Sequence, residues 1–406
     1  MTEGGTERGR TVEDLRRHNL SAVLACLHAE GPLRRAELTA RLRLNRSTIA
    51  DLVAQLCEEG LLTEVDAPTR AGVGRPSPVV QADPDGARVL AASLHVDHLR
   101  VGLFTLGGTL VARRERRLGN RRHPPAMAAL VADEVGELLR SAAPSGVAGI
   151  GVSVPGLIRH EDGTVRLAPN LGWVDEPFAA LVRGQLADRG EDLAQLPVQV
   201  GNDADLGLLA EHRRGAARGL DDVLFIAGET GVGGSFITGG QQIRGVGGYA
   251  GELGHMVIRA EGSRCHCGGR GCWETEIGAG ALIEALGLPE RTQGSELIEV
   301  VRALPHGAEP LRGLGRALGT GIVSLVNLFN PRLVVIGGLL GEIYPWLADQ
   351  VDDALRRTSL VAPAEQVEVT VPHLGADAAL FGAAELIWND LIADPVAFAR
   401  RVRRTA

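Results

Sequence analysis

The sequence predicts two folded parts, a winged helix-turn-helix at the N-terminus and a larger second domain behind it. The chain has 406 residues, which is too long for one ordinary hydrophobic core. Its first eighty residues carry three helical patterns followed by two strand patterns, which is typical of a winged helix. Further along, three cysteines and a histidine crowd into one short segment, which indicates a metal site.

Three helices are predicted in the first sixty residues. The apolar residues of 20–27 recur at helical spacing, and this pattern stops at Gly31. A second, short helix fits residues 34–43. Asn45 can cap a third helix by accepting a backbone N–H from its first turn, and that helix ends at Gly60.

Two strand patterns follow the third helix, at 61–65 and 79–83. The stretch between them is rich in Gly, Arg and Pro, which predicts a wing whose Arg75 suits a DNA minor groove. Three helices and a wing form a winged helix-turn-helix, whose recognition helix lies in the major groove. Residues 1–82 are therefore predicted to be a DNA-binding domain.

The start of the third helix supplies the candidate DNA contacts, which are short or basic donors suited to phosphates and base edges. They are Asn45, Arg46, Ser47 and Thr48. Residues 31–51 hold five arginines against two acidic residues, whereas the whole chain has a formal net charge of −8. That overall charge argues against a protein that coats nucleic acid over its whole surface. A helical domain that binds another protein is the alternative, and the local basic patch favours a double-stranded DNA operator.

The remaining composition indicates a cytoplasmic protein. No run approaches the roughly 18–20 apolar residues of a membrane span, so no membrane association is expected. The first residues lack the apolar core of a signal peptide. Five cysteines are too few and too unevenly spaced for a disulfide framework, and Cys26 and Cys57 fit as inert thiols in apolar helices.

A Cys3His set lies in the segment from residue 255 to residue 272. Its members are His255, Cys265, Cys267 and Cys272. Three thiolates and one imidazole are the ligand set of a closed tetrahedral zinc site, which supports structure rather than catalysis. The interspersed glycines allow the tight turns that such convergence needs. His266 is an alternative nitrogen ligand, but its position between two ligating cysteines would turn it away from the ion.

Motifs from residue 152 onwards resemble those of the ROK family, the bacterial group of repressors, open reading frames and sugar kinases. The matching stretches are VSVPG (152–156), APNLGW (168–173), GNDA (201–204), GVGG (231–234), AGELGH (250–255), CHCGGRGCWE (265–274), NLFNP (327–331) and VVIGG (334–338). The resemblance implies an α/β, two-lobed, actin-like sugar-kinase domain over 88–406. It also implies a first lobe of about 88–199 plus the C-terminal helix, and a second lobe of about 200–385.

The same resemblance implies a sugar-binding site in the cleft between the lobes. Carried over residue by residue, it assigns sugar contacts to Asn202, Asp203, Glu252, His255 and Glu274, with Gly156 and Asn170 lining the same cleft. Carboxylates and amides suit this role because each can pair with two sugar hydroxyls. The resemblance also gives His255 a double role, with one ring nitrogen on zinc and the other on a sugar hydroxyl.

A sugar-sensing regulator is expected rather than a kinase. In ROK kinases Asp203 would be the general base, and a glycine-rich turn between the first two strands would hold phosphates. Here Ser93, His95, Val96 and Asp97 occupy that turn, where side-chain bulk and a negative charge oppose phosphate. The LGGT stretch at 106–109 is interpreted as a hairpin turn between the first two strands.

The functional expectation is a DNA-binding transcription regulator of carbohydrate-related genes whose zinc-containing ROK domain binds a sugar or sugar derivative. The alternatives are a sugar kinase that phosphorylates a hexose with ATP, and a ROK regulator that responds to a protein partner. Because winged helices usually read paired half-sites, a homodimer or a homotetramer is expected.

Overall fold

The computed structural model describes residues 11–66, 77–119, 122–142, 146–292 and 294–399. Within these ranges no helix is both long and apolar enough to cross a bilayer. Arg75 and the predicted wing tip lie outside the described residues.

The N-terminal part contains three helices and a small antiparallel sheet. Its elements are α1 (Val12–Glu30), β1 (Leu33–Arg34), α2 (Arg35–Leu42), α3 (Arg46–Glu58), β2 (Leu62–Val65) and β3 (Val79–Ala82). The three predicted helices and both predicted strands are present, and the strands pair in the order β1-β3-β2. The chain leaves α1 at Gly31 with φ +81°, a conformation that favours glycine. Asn45 Oδ1 accepts the N–H of Thr48 at 2.8 Å, which confirms the predicted cap of α3.

The first lobe is built on a five-stranded mixed sheet of order β11-β7-β4-β5-β6. Its elements are β4 (Arg88–Leu94), β5 (His98–Thr105), β6 (Leu110–Arg117), α4 (Pro124–Ala142), β7 (Val147–Val154), β8 (Leu157–Arg159), β9 (Thr164–Ala168), β10 (Trp173–Glu176), α5 (Phe178–Ala187), α6 (Glu191–Ala194) and β11 (Val198–Asn202). Strands β8–β10 form a separate antiparallel sheet beside the cleft. Strand β11 carries the first sheet to Asn202, three residues beyond the predicted lobe boundary at 199.

The second lobe repeats this plan with a sheet of order β14-β13-β12-β15-β16. Its elements are α7 (Asp203–Arg214), β12 (Val223–Gly228), β13 (Val232–Thr238), β14 (Gln241–Gln242), α8 (Glu274–Ile277), α9 (Ala279–Leu286), α10 (Gly294–Arg302), α11 (Glu309–Phe329), β15 (Leu333–Gly337), α12 (Gly338–Ile343), α13 (Ala348–Thr358), α14 (Val361–Gln366) and β16 (Glu368–Thr370). Two five-stranded sheets, each covered by helices, form the two-lobed architecture that the resemblance implied.

Helix α7 and the C-terminal helix α15 (Ala378–Ala393) pack together where the lobes join. Helix α15 covers β4 and β7 of the first sheet, whereas α7 also contacts β12 and β13 of the second. Glycines permit this packing: a Cβ on Gly382 would lie 1.9 Å from the carbonyl oxygen of Leu206, and one on Gly207 would lie 2.9 Å from the Phe225 ring. The α7–α15 pair therefore belongs to both lobes.

Candidate functional site

The two lobes enclose a cleft with a cavity of about 190 Å³. All seven residues that the resemblance implied for sugar contact line this cavity. They are Gly156, Asn170, Asn202, Asp203, Glu252, His255 and Glu274. They come from five separate segments of the chain, and the fold brings them to one place.

Asn202 and Asp203 lie where β11 ends and α7 begins. The Asn202 side chain caps α7, with its Oδ1 accepting the N–H groups of Ala204 and Asp205 at 2.8 and 3.0 Å. Its Nδ2 donates to the Gly156 carbonyl oxygen at 2.9 Å. Burial, with a further effect of the Asp205 charge, raises the pKa of Asp203 to about 6. Asn202 thus fixes the start of α7 and holds Gly156, while Asp203 presents its carboxyl group to the cleft.

Glu252, His255 and Glu274 face Asp203 from the second lobe. His255 Nε2 lies 3.8 Å from a carboxylate oxygen of Glu252. Glu274 Oε2 accepts the N–H of Val232 at 2.9 Å. A Cβ on Gly231 would lie 2.4 Å from that same oxygen and 2.9 Å from Asn170 Nδ2, so glycine is required there for close approach.

The cleft is strongly acidic. Five carboxylates line it, from Asp97, Asp203, Glu229, Glu252 and Glu274, and none of the described lining residues is an arginine. Partial burial and the neighbouring carboxylates raise the pKa of Glu252 to about 7. Glu229 was not predicted from the sequence, although its position just after β12 is a strand end at which site residues commonly lie. This arrangement suits a neutral ligand rich in hydroxyl groups.

The turn between β4 and β5 forms another wall of the cavity. His95 Nε2 lies 3.0 Å from Ser93 Oγ, and the His95 ring stacks on His98 with centroids 4.1 Å apart. Burial lowers the pKa of His95 to about 3, so the ring is neutral. Asp97 Oδ1 pairs with His98 Nδ1 at 2.6 Å. Side chains therefore fill the place where a glycine turn would leave backbone amides open.

The LGGT stretch at 106–109 does not lie where it was predicted. It forms the turn between β5 and β6, which are the second and third strands of the domain rather than the first two. The prediction was wrong because β4, β5 and β6 form two consecutive hairpins, and the turn at 95–97 is the first of them.

A metal-capable cluster lies against the same cleft. The candidate ligand atoms of His255, Cys265, Cys267 and Cys272 are all within 4.8 Å of one another, and His266 is not in this group. Cys265 Sγ is 3.7 Å from His255 Nδ1, and Cys267 Sγ is 3.8 Å from Cys272 Sγ. Because Zn–S bonds are about 2.3 Å, tetrahedral ligand atoms lie about 3.8 Å apart, so the four residues fit zinc.

Trp273 connects the cluster to the lobe, a role that was not predicted from the sequence. Its side chain is fully buried, and its indole N–H donates to the Ala317 carbonyl oxygen of α11 at 2.8 Å. A Cβ on Gly321 would lie 2.1 Å from the indole ring, so α11 accommodates it closely. Since Trp273 lies between Cys272 and Glu274, its anchoring fixes a thiol and a cleft carboxylate together.

The predicted DNA contacts lie at the N-terminus of α3, where Asn45, Arg46 and Ser47 are exposed and Thr48 is half-buried. The Ser47 hydroxyl donates to Asn45 Oδ1 at 2.8 Å. The basic patch is smaller than its composition suggested, because Arg35 pairs with Glu64 and Arg41 pairs with Glu30. Those acidic partners lie on other elements and were not visible in the local sequence.

The fold and the cleft define a two-lobed protein of sugar-kinase architecture with a metal-capable cluster at its ligand site. The sequence profile of the ROK family matches residues 91–390, and the chain belongs to the ROK family.

Curated relatives match the chain over most of its length. The xylose repressor of Caldicellulosiruptor bescii is 26% identical, with 94% of this chain and 98% of that protein covered. The xylose repressor of Bacillus subtilis is 27% identical, with 91% and 94% covered. The DNA-binding transcriptional dual regulator NagC of Escherichia coli is also 27% identical, with 89% and 90% covered.

Solved structures separate into two groups by how much of the chain they match. A ROK family transcriptional regulator, a homolog of the E. coli MLC protein, has a TM-score of 0.76, 24% identity and coverage of 96% of this chain and 99% of its own. A ROK family glucokinase from Streptomyces griseus has a TM-score of 0.61 and 27% identity, covering 74% of this chain and 98% of its own. The regulator structure therefore matches nearly the whole chain, whereas the kinase structure matches about three quarters of it.

Proposed function

We propose that this protein is a DNA-binding transcription regulator whose ROK domain binds a neutral sugar and controls carbohydrate-related genes. The observation that carries this proposal is the convergence of seven polar or close-approach residues on one cleft in a chain that also matches named repressors almost end to end. Kinase structures of the family match only about three quarters of the chain. The ROK profile begins at residue 91, so the N-terminal part that precedes it points to a function beyond sugar binding.

In this proposal residues 1–82 are a winged helix-turn-helix. Helix α3 is the recognition helix, and its first turn presents Arg46, Ser47 and Thr48 to phosphates and base edges, with Asn45 as the cap. Arg75 would enter the minor groove from the wing. Paired half-sites require paired domains, so the regulator acts as a homodimer or homotetramer.

The sugar is held between the lobes in this proposal. Gly156 and Asn170 contribute from the first lobe, Glu252, His255 and Glu274 contribute from the second, and Asp203 contributes from the start of α7, where the lobes join, so a bound sugar connects both lobes. Ligands that bridge two lobes favour the closed arrangement by their difference in affinity for the two states. Asn170 and Gly156 complete the cleft wall, with Asn202 holding Gly156 in place.

Zinc would be held by His255, Cys265, Cys267 and Cys272. It would supply no chemistry beyond fixing these side chains, because four protein ligands leave no open coordination position. His255 Nδ1 faces the thiols, whereas Nε2 faces Glu252 and the cleft. The cluster therefore orients a sugar-binding imidazole and, through Trp273, the Glu274 carboxylate.

The acidic lining favours an unphosphorylated sugar. A sugar phosphate would bring a dianion among five carboxylates without an arginine from the described lining. Hydroxyl groups, by contrast, can donate to each of those carboxylates. The effector class is therefore a neutral pentose, hexose or N-acetylhexosamine.

A sugar kinase is the second candidate, because Asp203 occupies the position of the family's general base and ROK kinases share the fold. The β4–β5 turn opposes it. His95 and its stacked partner His98 occupy the turn, and Asp97 places a negative charge on the wall that would receive phosphates. We therefore propose that the chain does not transfer phosphate.

The test begins with in vitro selection of operator DNA from a random double-stranded library on the full chain. Fluorescence anisotropy then measures operator affinity with and without each sugar of a neutral panel. Enrichment of a paired half-site, with one sugar changing its Kd, is the expected result. Absence of an enriched sequence, or phosphate transfer from ATP to a sugar in a coupled assay, would overturn the proposal. Operator binding that no sugar alters would instead favour a protein partner as the effector.

A further inference from the structure

The glycine turn at 106–109 contacts the N-terminal domain rather than the cleft. The Gly107 N–H donates to His28 Nδ1 of α1 at 3.0 Å. The Gly107 carbonyl oxygen accepts from Arg214 Nη1 of α7 at 2.6 Å. Gly108, with φ +74°, leaves room for this arginine, since a Cβ there would lie 2.2 Å from Arg214 Cζ.

His28 and Glu385 form the buried centre of this contact. Their side chains are only 3% and 1% exposed, and His28 Nε2 donates to Glu385 Oε2 at 2.9 Å. Because His28 Nδ1 accepts from Gly107, the ring carries its proton on Nε2 and is neutral. Burial lowers the pKa of His28 against the opposing effect of Glu385, which agrees with a neutral ring.

Two consecutive arginines at the end of α7 neutralise Glu385. Arg214 Nε donates to Glu385 Oε1 at 2.8 Å, and Arg213 donates to the other carboxylate oxygen. Arg214 also reaches the His28 carbonyl oxygen at 3.2 Å. We name His28, Gly107, Arg213, Arg214 and Glu385 the interdomain clasp. It joins α1, the β5–β6 turn, α7 and α15.

Apolar packing around the clasp is continuous between the domains. One buried cluster runs from the α1 residues Leu20, Leu24 and Leu27 to Trp388 and Leu391 of α15. The rings of His28 and Trp388 lie 5.6 Å apart. The N-terminal domain is therefore seated on α15 rather than tethered only by its chain connection.

Helix α7 links this seat to the sugar cleft. Its first residue, Asp203, lines the cavity, and its last two residues, Arg213 and Arg214, hold the clasp. The helix has 12 residues, so its two ends are about 18 Å apart along a rigid rod. It also packs against the sheet of the second lobe, so a change in lobe closure acts on it directly.

We infer that the interdomain clasp transmits sugar binding from the cleft to the DNA-binding domain, with α7 as the moving element. This inference rests on the proposed function and adds its regulatory route. When a sugar draws Asp203 towards Glu252 and Glu274, α7 shifts against α15, and the polar contacts of Arg213 and Arg214 shift with it. The position of α1 on α15 then changes, and the spacing of the recognition helices in the oligomer changes as a result.

The test compares Arg214→Gln with Arg218→Gln, an exposed arginine just beyond α7 that serves as the matched control. Operator affinity is measured by anisotropy with and without saturating sugar, and sugar affinity is measured separately by calorimetry. For wild type and Arg218→Gln we expect the sugar to change operator Kd by about tenfold or more. For Arg214→Gln that factor should fall below about threefold, while the sugar Kd of the free protein stays within about threefold of wild type.

The possible outcomes distinguish a failure of the clasp inference from a failure of the proposed function. Folded Arg214→Gln that keeps the full sugar effect on operator affinity would overturn the role of the clasp. A wild-type protein whose operator affinity no sugar alters would instead overturn the sugar-gated regulator. If Arg214→Gln does not fold, hydrogen exchange of the wild-type protein tests the inference instead. Sugar should alter exchange in residues 12–30 and at the Gly107 amide, and unchanged exchange there, with protection confined to the cleft, would contradict the inference.

Discussion

Two walls of the cleft differ sharply in how they use side chains. Around Glu274 and Asn170 the chain places glycine at 231, so that a carboxylate and an amide can approach closely. In the β4–β5 turn the chain instead places His95 and Asp97, and the stacked rings of His95 and His98 cover the backbone of the turn. One wall is shaped to receive a ligand, and the other is filled by the protein itself. In the proposed function, the first wall binds the sugar and the second wall excludes phosphate groups.

Loss of a metal ligand should cause the largest fall in sugar affinity. In Cys272→Ser the cluster loses a ligand, and both His255 and Glu274 lose their orientation. We expect sugar affinity to fall by about a hundredfold or more, since two charged or polar hydrogen-bonding groups are affected together. Calorimetry of the variant measures this loss, and zinc content by atomic absorption accompanies it. Cys57→Ser, which changes a half-buried thiol outside the cluster, is the control and should bind sugar normally.

A side chain added at Gly231, in the wall that receives the ligand, should cause the next largest fall in sugar affinity. In Gly231→Ala the new Cβ would lie 2.4 Å from Glu274 Oε2, so that carboxylate must move. We expect a loss of about ten- to thirtyfold in sugar affinity, which corresponds to the usual range for overpacking. Gly280→Ala is the matched control, because nothing lies within 4 Å of its added Cβ. Equal sugar affinity in the two variants would mean that close approach at 231 is not required.

The DNA-binding part also contains two kinds of arginine, one exposed and one held in an ion pair. Arg46 is exposed at the start of α3, whereas Arg35 is engaged by Glu64. Arg46→Ala should weaken operator binding by about fivefold and lower the salt dependence of its Kd. Arg140→Ala removes an exposed arginine from α4 and should leave operator binding unchanged. Anisotropy at two salt concentrations measures both variants.

A smaller effect is expected from the protonation of His28. Its folded-state pKa lies below the usual value, so the unfolded chain binds the proton more readily than the folded chain. The neutral ring therefore makes its full contribution to the unfolding free energy above pH 6.5, and this contribution falls as the pH drops below that value. Glu385 and the two arginines face the ring, and only His28 changes charge in this window. Between pH 7.5 and 5.5 we expect His28→Gln to lose about 1 kcal/mol less unfolding free energy than wild type. Urea unfolding at both pH values measures this difference, and equal losses in both proteins would contradict it.

Local patterns in the sequence were enough for the N-terminal helices and for the metal cluster. The cap at Asn45 and the crowding of Cys265, Cys267 and Cys272 depend on neighbours within a few residues, and the structure has both. The cleft residues came from the family resemblance, because five distant segments supply them. The role of Asn202 as a helix cap that holds Gly156 was not predicted, since it depends on where β8 begins relative to β11.

Long-range ion pairs account for part of what the sequence did not predict. Arg35 and Glu64 lie on different elements, so the net charge of the local sequence overstated the basic patch. The interdomain clasp joins residues as far apart in sequence as His28 and Glu385, and no periodicity or motif spacing indicates such a contact. The LGGT turn was placed one hairpin too early because β4, β5 and β6 form two consecutive hairpins, and the turn at 95–97 is the first of them.

Calorimetric titration of the zinc-loaded full chain measures whether the cleft binds a neutral sugar and excludes nucleotide. The titrants are neutral sugars, their phosphate esters and ATP with magnesium, each applied to wild type, Glu252→Ala and the exposed-loop control Glu261→Ala. We predict binding of one neutral sugar to wild type and Glu261→Ala, loss of that binding in Glu252→Ala, and no binding of ATP. Micromolar binding of ATP together with sugar, or a preference for the phosphate ester, would contradict a regulator that binds a neutral sugar.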